Sequence, residues 1–195
     1  LKSLIHWIEV WEADGVTKID GIGTQMHVSC YANPDIQASK QEHVVKMLQL
    51  MAETGKLIKI SELDMGYVDA DGNTVATTAM TEEQHQQMAA YYEFIVSKYF
   101  EIIPAAQQYG ITQWCITDAS GDLGTGWRGG EPVGLWDLNF NRKHTYAGFA
   151  AGLVEALMAL PENADKVAAG EALNILQVQQ GAGFNSPFDR RQVGY

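Results

Sequence analysis

The chain has 195 residues, 46% hydrophobic and 19% charged, enough for one domain with its own core. Its net charge of −11, with no Lys/Arg cluster, argues against a nucleic-acid or anionic-membrane partner, while a neutral polymer such as a polysaccharide is indifferent to it. No apolar run is long enough to insert into a bilayer.

The chain opens with "LKSLIHWIEVW". Leu1, Leu4, Ile5, Ile8 and Trp11 recur at helical spacing, and Gly15 is a stop. It opens without an initiator Met or a signal peptide, as expected of a piece cut from or processed out of a longer protein. "KIDGIGTQMHV" then reads as a strand with Gly21, Gly23, Gln25 and His27 on one face. A second helix begins at "NPDIQ", with Asn33 as N-cap and Pro34 in the first turn. Val44, Met47, Leu48 and Met51 form its buried stripe, and Gly55 ends it.

"LIKISELDMGY" is the second strand, in which Ile58, Ile60, Glu62 and Asp64 share a parity. "DADGN" in the following loop lacks the full calcium-loop spacing and reads as a turn. A third helix starts at Thr81, with Gln84 placed for a capping box, and continues towards Gly110 with Pro104 kinking or splitting it. "GITQWCITD" is the third strand, carrying Trp114 and Asp118 near its end. A Gly-rich loop holding Trp127 leads to a last helix around His144 to Leu160. Beyond Pro161 the chain changes character, with one more helix expected over 165–176. The division is therefore 1–160, barrel, and 161–195, extension. Cys30 and Cys115 fit no zinc or CxxC pattern, and free thiols are expected over a disulfide.

Tight helix-to-strand links at Gly15, Gly55 and Gly110, with longer strand-to-helix links bearing the unusual residues, mark an α/β fold of the (β/α)8 TIM-barrel type. The rival is a doubly wound sheet. "GIG" at 21–23 does not support it, because it lies within a strand and opens no helix. Three clear strands are too few for a closed barrel, so a portion of one is expected.

A carboxylate at a strand end, Glu62, suits glycoside hydrolysis, where an oxocarbenium-like transition state needs negative charge on one face of the sugar. The alternative for Glu62 and Asp64 is a strand emerging into solvent. His27 is placed to hydrogen-bond Glu62, and Asp64 to orient His27. The alternative for His27 is a satisfied core histidine. Trp114 and Trp127 offer faces for sugar stacking, although Trp114 also reads as core. Trp136 reads as packing.

Together, "IDGIGTQMH", "IKISELDMG", "ITQWCITD" with "GWR", and "GLWDLNFNRKHTYAGFAAGL" resemble, in order, the last part of glycoside hydrolase family 10, the retaining endo-β-1,4-xylanases. The resemblance covers about residues 1–160. It implies the C-terminal portion of the barrel, about strands 6 to 8 with their helices. It implies Glu62 as nucleophile, His27 as its hydrogen-bond partner and Asp64 as support for His27. Gln25, Trp114 and Trp127 are then substrate-binding groups. Cys115 stands where the family has Gly, an insertion displaces "GWR", and His144 replaces Pro. The family's acid/base Glu belongs to the first half of the barrel.

Expected partners are xylan or a related β-glycan, the missing N-terminal half of the barrel, and a second copy of the chain through its open edges. No metal or cofactor is expected. The resemblance alone implies a secreted, cell-surface or periplasmic location. The competing readings are a non-catalytic xylan-binding barrel fragment and a related barrel glycosidase acting on another β-glycan.

Overall fold

A computed structural model describes residues 1–119 and 127–164. The helix expected over 165–176, the rest of the tail and part of the Gly-rich loop lie outside the described residues. Four helices, α1 (Lys2–Glu12), α2 (Pro34–Ala52), α3 (Glu82–Ile102) and α4 (His144–Met158), accompany four strands. These are β1 (Gly21–Thr24), β2 (His27–Tyr31), β3 (Leu57–Val68) and β4 (Gln108–Gln113).

All pairings between the named strands are parallel, with β3 in the middle. Both β1 and β2 run along one side of β3, and β4 along the other. Successive strands are thus neighbours in chain order. The core lies between this sheet and the helices. It gathers Ile8 of α1, Val44, Leu48 and Met51 of α2, and Met88, Tyr92, Ile95 and Tyr99 of α3 around Ile58, Ile60, Leu63 and Met65 of β3. Met47, expected in the α2 stripe, packs at its margin.

The helix ends follow their caps. The Asn33 carboxamide accepts from the backbone of Asp35 and Ile36, and Thr81 and Gln84 close a reciprocal capping box. Gly15 and Gly55 turn the chain with positive φ at 71° and 68°. Gly110 does not make the third turn, since it lies inside β4. Pro104 ends α3 instead, and a short 3-10 turn over Ala105–Gln107 starts the descent into β4. The Tyr99 hydroxyl then locks these pieces together: it donates to Ile58 O at 2.7 Å and accepts from Gly110 N at 2.9 Å.

Three other expectations are corrected. The first strand is split at Gln25–Met26, where Met26 takes φ 59°, so parity does not carry from Gln25 to His27. The third strand ends at Gln113, and Trp114 to Asp118 leave the regular ladder. Finally, β3 is not one continuous pleat. From Ile60 to Asp64 it advances four residues while its neighbour advances three, Thr24 to His27. Against β4, Ile60 to Leu63 spans three while Ile111 to Gln113 spans two. One extra residue therefore sits at Ser61–Glu62, a β-bulge. It reverses the parity of the helix-facing side, which is Ile58 and Ile60 before the bulge and Leu63, Met65 and Tyr67 after it. Glu62 and Asp64 consequently face away from the isoleucines with which they share a parity.

The "DADGN" segment is a turn. The Asp69 carboxylate accepts the backbone N–H groups of Asp71 and Asn73, and Gly72 takes φ 87°. Trp136 packs edge-on against Tyr146, as expected of a packing residue. Both cysteines are free thiols. Burial pushes the Cys30 thiol up to about 12.

Candidate active site at the end of the parallel strands

The six residues singled out from the sequence come together at one end of the sheet. Glu62, thrown out by the bulge, places Oε2 3.2 Å from His27 Nε2. Gln25 Nε2 donates to the other oxygen, Oε1, at 3.5 Å. The kink at Met26 is what brings Gln25 and His27 to the same carboxylate from opposite sides of a strand break. Glu62 and His27 are about one quarter and one fifth exposed, so the carboxylate is reachable yet held.

Asp64 is fully buried. Its Oδ2 lies 3.1 Å from His27 Nδ1, but the angle is poor and Nδ1 has no aligned hydrogen-bond partner. The same oxygen accepts the Trp127 indole N–H at 2.5 Å. Trp127 in turn lies 5.0 Å from the His27 ring, centroid to centroid, and Trp114 lies 6.0 Å from Trp127 in an edge-to-face arrangement. Both indoles remain nearly half exposed. The Trp114 ring is therefore not core; it forms an aromatic wall beside the carboxylate.

Sequence reasoning missed Arg128. Its Nη1 donates to Asp64 Oδ1 at 3.0 Å and to Val28 O at 2.7 Å, and its Nη2 to Ser29 Oγ at 2.8 Å and Glu131 Oε2 at 3.0 Å. The signal was available: a buried carboxylate needs a partner, and a permanently charged Arg directly follows Trp127. Arg128 and Gly129 both take left-handed backbone, φ 55° and 63°, which turns the segment so that indole and guanidinium point back to β3.

Asp118, which the sequence places with Trp114 near the end of the third strand, does not join the site. It is buried behind it, accepting from Thr77 Oγ1 at 2.5 Å, Gly134 N at 2.8 Å and Lys143 Nζ at 2.6 Å. This ties three loops to the start of α4. Burial pulls the Lys143 ammonium down from its ordinary range, and Asp118 opposes that. Burial likewise raises Cys115 to about 11, helped by the charges of Asp64 and Asp118. Among the described residues no group of three or more His, Cys, Asp or Glu side chains is arranged to hold a metal ion, and no helix is long and apolar enough to cross a membrane.

Comparison with known proteins identifies the family. Residues 1–151 match the model of glycosyl hydrolase family 10. The chain is 31% identical over 163 residues to endo-beta-1,4-xylanase Xyn10C of Cellvibrio japonicus, covering 78% of this chain and 25% of that protein. It is 27% identical over 140 residues to endo-1,4-beta-xylanase B of Humicola insolens, covering 71% and 36%. The chain thus spans about a quarter to a third of the length of these relatives. Among solved structures it is similar to a xylanase 10C mutant of Cellvibrio japonicus in complex with xylopentaose, with TM-score 0.62, 26% identity, and coverage of 77% of this chain and 30% of that one. A thermostable mutant of Xyn10A from the same organism gives 0.58, 30%, 77% and 44%. These relatives have the TIM-barrel fold. With its matched model, its parallel β/α architecture and its strand-end carboxylate, the chain belongs to glycosyl hydrolase family 10.

Proposed function

We propose that this chain is the C-terminal portion of a retaining endo-β-1,4-xylanase barrel, about strands 6 to 8, and that Glu62 is its nucleophile. The observation that carries this reading is the Glu62–His27 contact at 3.2 Å, framed by two half-exposed indoles. In the first step a Glu62 oxygen forms the ester bond to the anomeric carbon as the glycosidic bond breaks, and water later hydrolyses that ester. His27 and Gln25 hold the two carboxylate oxygens, fixing the rotamer. Trp114 and Trp127 wall the sugar at the cleaved bond.

A retaining pair needs a second carboxyl group about 5–5.5 Å away across the scissile bond. Asp64 is unfit for that part. It lies on the same strand, is fully buried, and is occupied by Arg128 and Trp127. The proton donor therefore belongs to the N-terminal half of the barrel, which is the proposed partner. A surface suited to that partner exists: Leu4, Trp7, Val10 and Trp11 are exposed along α1. Among the described residues β1 and β2 pair with β3 alone, and a strand edge of this kind offers backbone groups to a partner. Without the partner, the same surfaces favour self-association. The substrate is proposed to be xylan or a related β-glycan, met at a secreted, cell-surface or periplasmic location.

The test is an assay of the purified chain on xylan, alone and mixed with a separately expressed N-terminal half. The expected result is negligible turnover alone, association on a sizing column, and activity on mixing. Full turnover by a monomeric chain overturns the division of labour. Binding of xylan that never becomes hydrolysis, even with the partner, points to a binding module instead.

A further inference from the structure

We propose that Arg128 is a positioning residue: it carries the charge that balances Asp64, leaving His27 to act on Glu62 alone. This deepens the proposed function and rests on that reading. Asp64 has no exposed surface, and a carboxylate in such a place needs a counter-charge. Two groups are near enough to supply it, Arg128 and a doubly protonated His27.

The geometry favours Arg128. Its Nη1 lies on Asp64 Oδ1 at 3.0 Å as a hydrogen bond, whereas His27 Nδ1 approaches Oδ2 at 3.1 Å out of line. Oδ2 is already taken by the Trp127 indole. The guanidinium is itself braced by Val28 O, Ser29 Oγ and Glu131 Oε2. The sheet makes room for it. A Cβ on Gly66 would stand 1.6 Å from Glu131 Oε2 and 2.5 Å from Arg128 Nη2, so β3 is bare where the ion pair crosses it.

The consequence is a division of charge. His27 holds Glu62 through Nε2 and needs no second proton on Nδ1 to satisfy Asp64. The charged groups around the ring are Glu62 and Asp64 from β3, and Arg128 and Glu131 from the Trp127 turn. Lys40 and His43 of α2 line a cavity that His27 also lines. Removing Arg128 leaves Asp64 with His27 as its remaining source of positive charge, and the ring then holds its proton to higher pH.

The experiment is an NMR titration of the His27 ring in the full chain, without substrate, so its outcome is independent of whether the barrel cleaves xylan. In Arg128→Met the His27 midpoint is expected to rise by about one pH unit, roughly a tenfold change in protonation ratio. Arg128→Lys, which keeps the charge, is expected to reverse most of that rise. Asp64→Asn combined with Arg128→Met is expected to abolish it, because the carboxylate beside His27 Nδ1 that the ring would otherwise balance is gone. A folded Arg128→Met chain with an unmoved midpoint overturns the proposal. If Arg128→Met does not fold, the double variant decides: a folded double variant supports the charge argument, and an equally unfolded one overturns it.

Discussion

Glu62 and Asp64, two residues apart on β3, address opposite nitrogens of one imidazole ring, that of His27, at 3.2 and 3.1 Å. Only Glu62 retains exposed surface on its side chain. The two acids are thus alike in sequence and unlike in setting: one reaches the surface and the other is sealed behind it.

In a barrel assembled with its N-terminal half, Glu62→Gln is expected to abolish turnover, since a neutral amide cannot form the glycosyl ester. His27→Ala is expected to lower kcat by on the order of 10²-fold, because it releases the carboxylate from its rotamer without removing it. Steady-state kinetics over a pH series checks both. Substantial activity in Glu62→Gln would remove that residue from the nucleophile's role, and an unchanged pH profile in His27→Ala would reduce the histidine to packing.

Packing of α3 against α4 depends on two missing side chains. A Cβ on Gly148 would lie 2.0 Å from Ala89 O, and one on Gly152 2.7 Å from Val96 Cβ. Backbone cannot yield as a side-chain tip can. Gly148→Ala is therefore expected to destabilise the chain by about 2–3 kcal/mol, despite alanine's better helix propensity. Urea unfolding followed by circular dichroism measures this, and a midpoint at or above that of the parent chain contradicts it.

His85 supplies a pH dependence of stability. Burial, then the neighbouring charges of Lys143 and His144, lowers its pKa in the fold below the ordinary 6.5. The folded state therefore prefers the neutral ring. In the window below 6.5 and above the lowered value, the unfolded chain binds more protons, so stability falls as pH falls through it. Urea midpoints at pH 7.5 and 5.5 are expected to differ less in His85→Gln than in the parent chain. An equal or larger difference would show that His85 is not a source of the slope.

Much of this architecture is legible in the sequence wherever a local rule acts alone. Asn33 and the Thr81–Gln84 pair announce helix starts because capping is decided within four residues. Glu62, His27 and Trp127 announce themselves by chemistry at strand ends. What escapes is decided by neighbours. Nothing in Met26 signals left-handed backbone, and the extra residue at Ser61–Glu62 exists only relative to the shorter stretches beside it. Period-two reasoning therefore put the acids on the face of the isoleucines. The strand-end position of Asp118 does not reveal that Lys143, 25 residues later, closes over it. Arg128 escapes because its partner is 64 residues away.

The bulge in β3 sets one extra residue against both neighbouring strands. Deleting Ser61 would leave Ile58, Ile60, Leu63 and Met65 in strict alternation, with Glu62 and Asp64 still on the opposite face. The shortened strand would match both neighbours residue for residue, so the sheet would be more regular and is expected to melt higher. Asp64 would stay opposite His27, but the Glu62 carboxylate, no longer thrown out by the bulge, would shift along the strand by up to one residue's rise, about 3.3 Å, and lose its present place beside His27 Nε2. Thermal unfolding of the deletion chain beside activity of the assembled barrel tests the trade, and a deletion that melts lower would show that the irregularity supports the sheet. If the deletion melts higher, the irregularity at Ser61–Glu62 is one that the sheet itself does not need, and what it sets is the position of the Glu62 carboxylate.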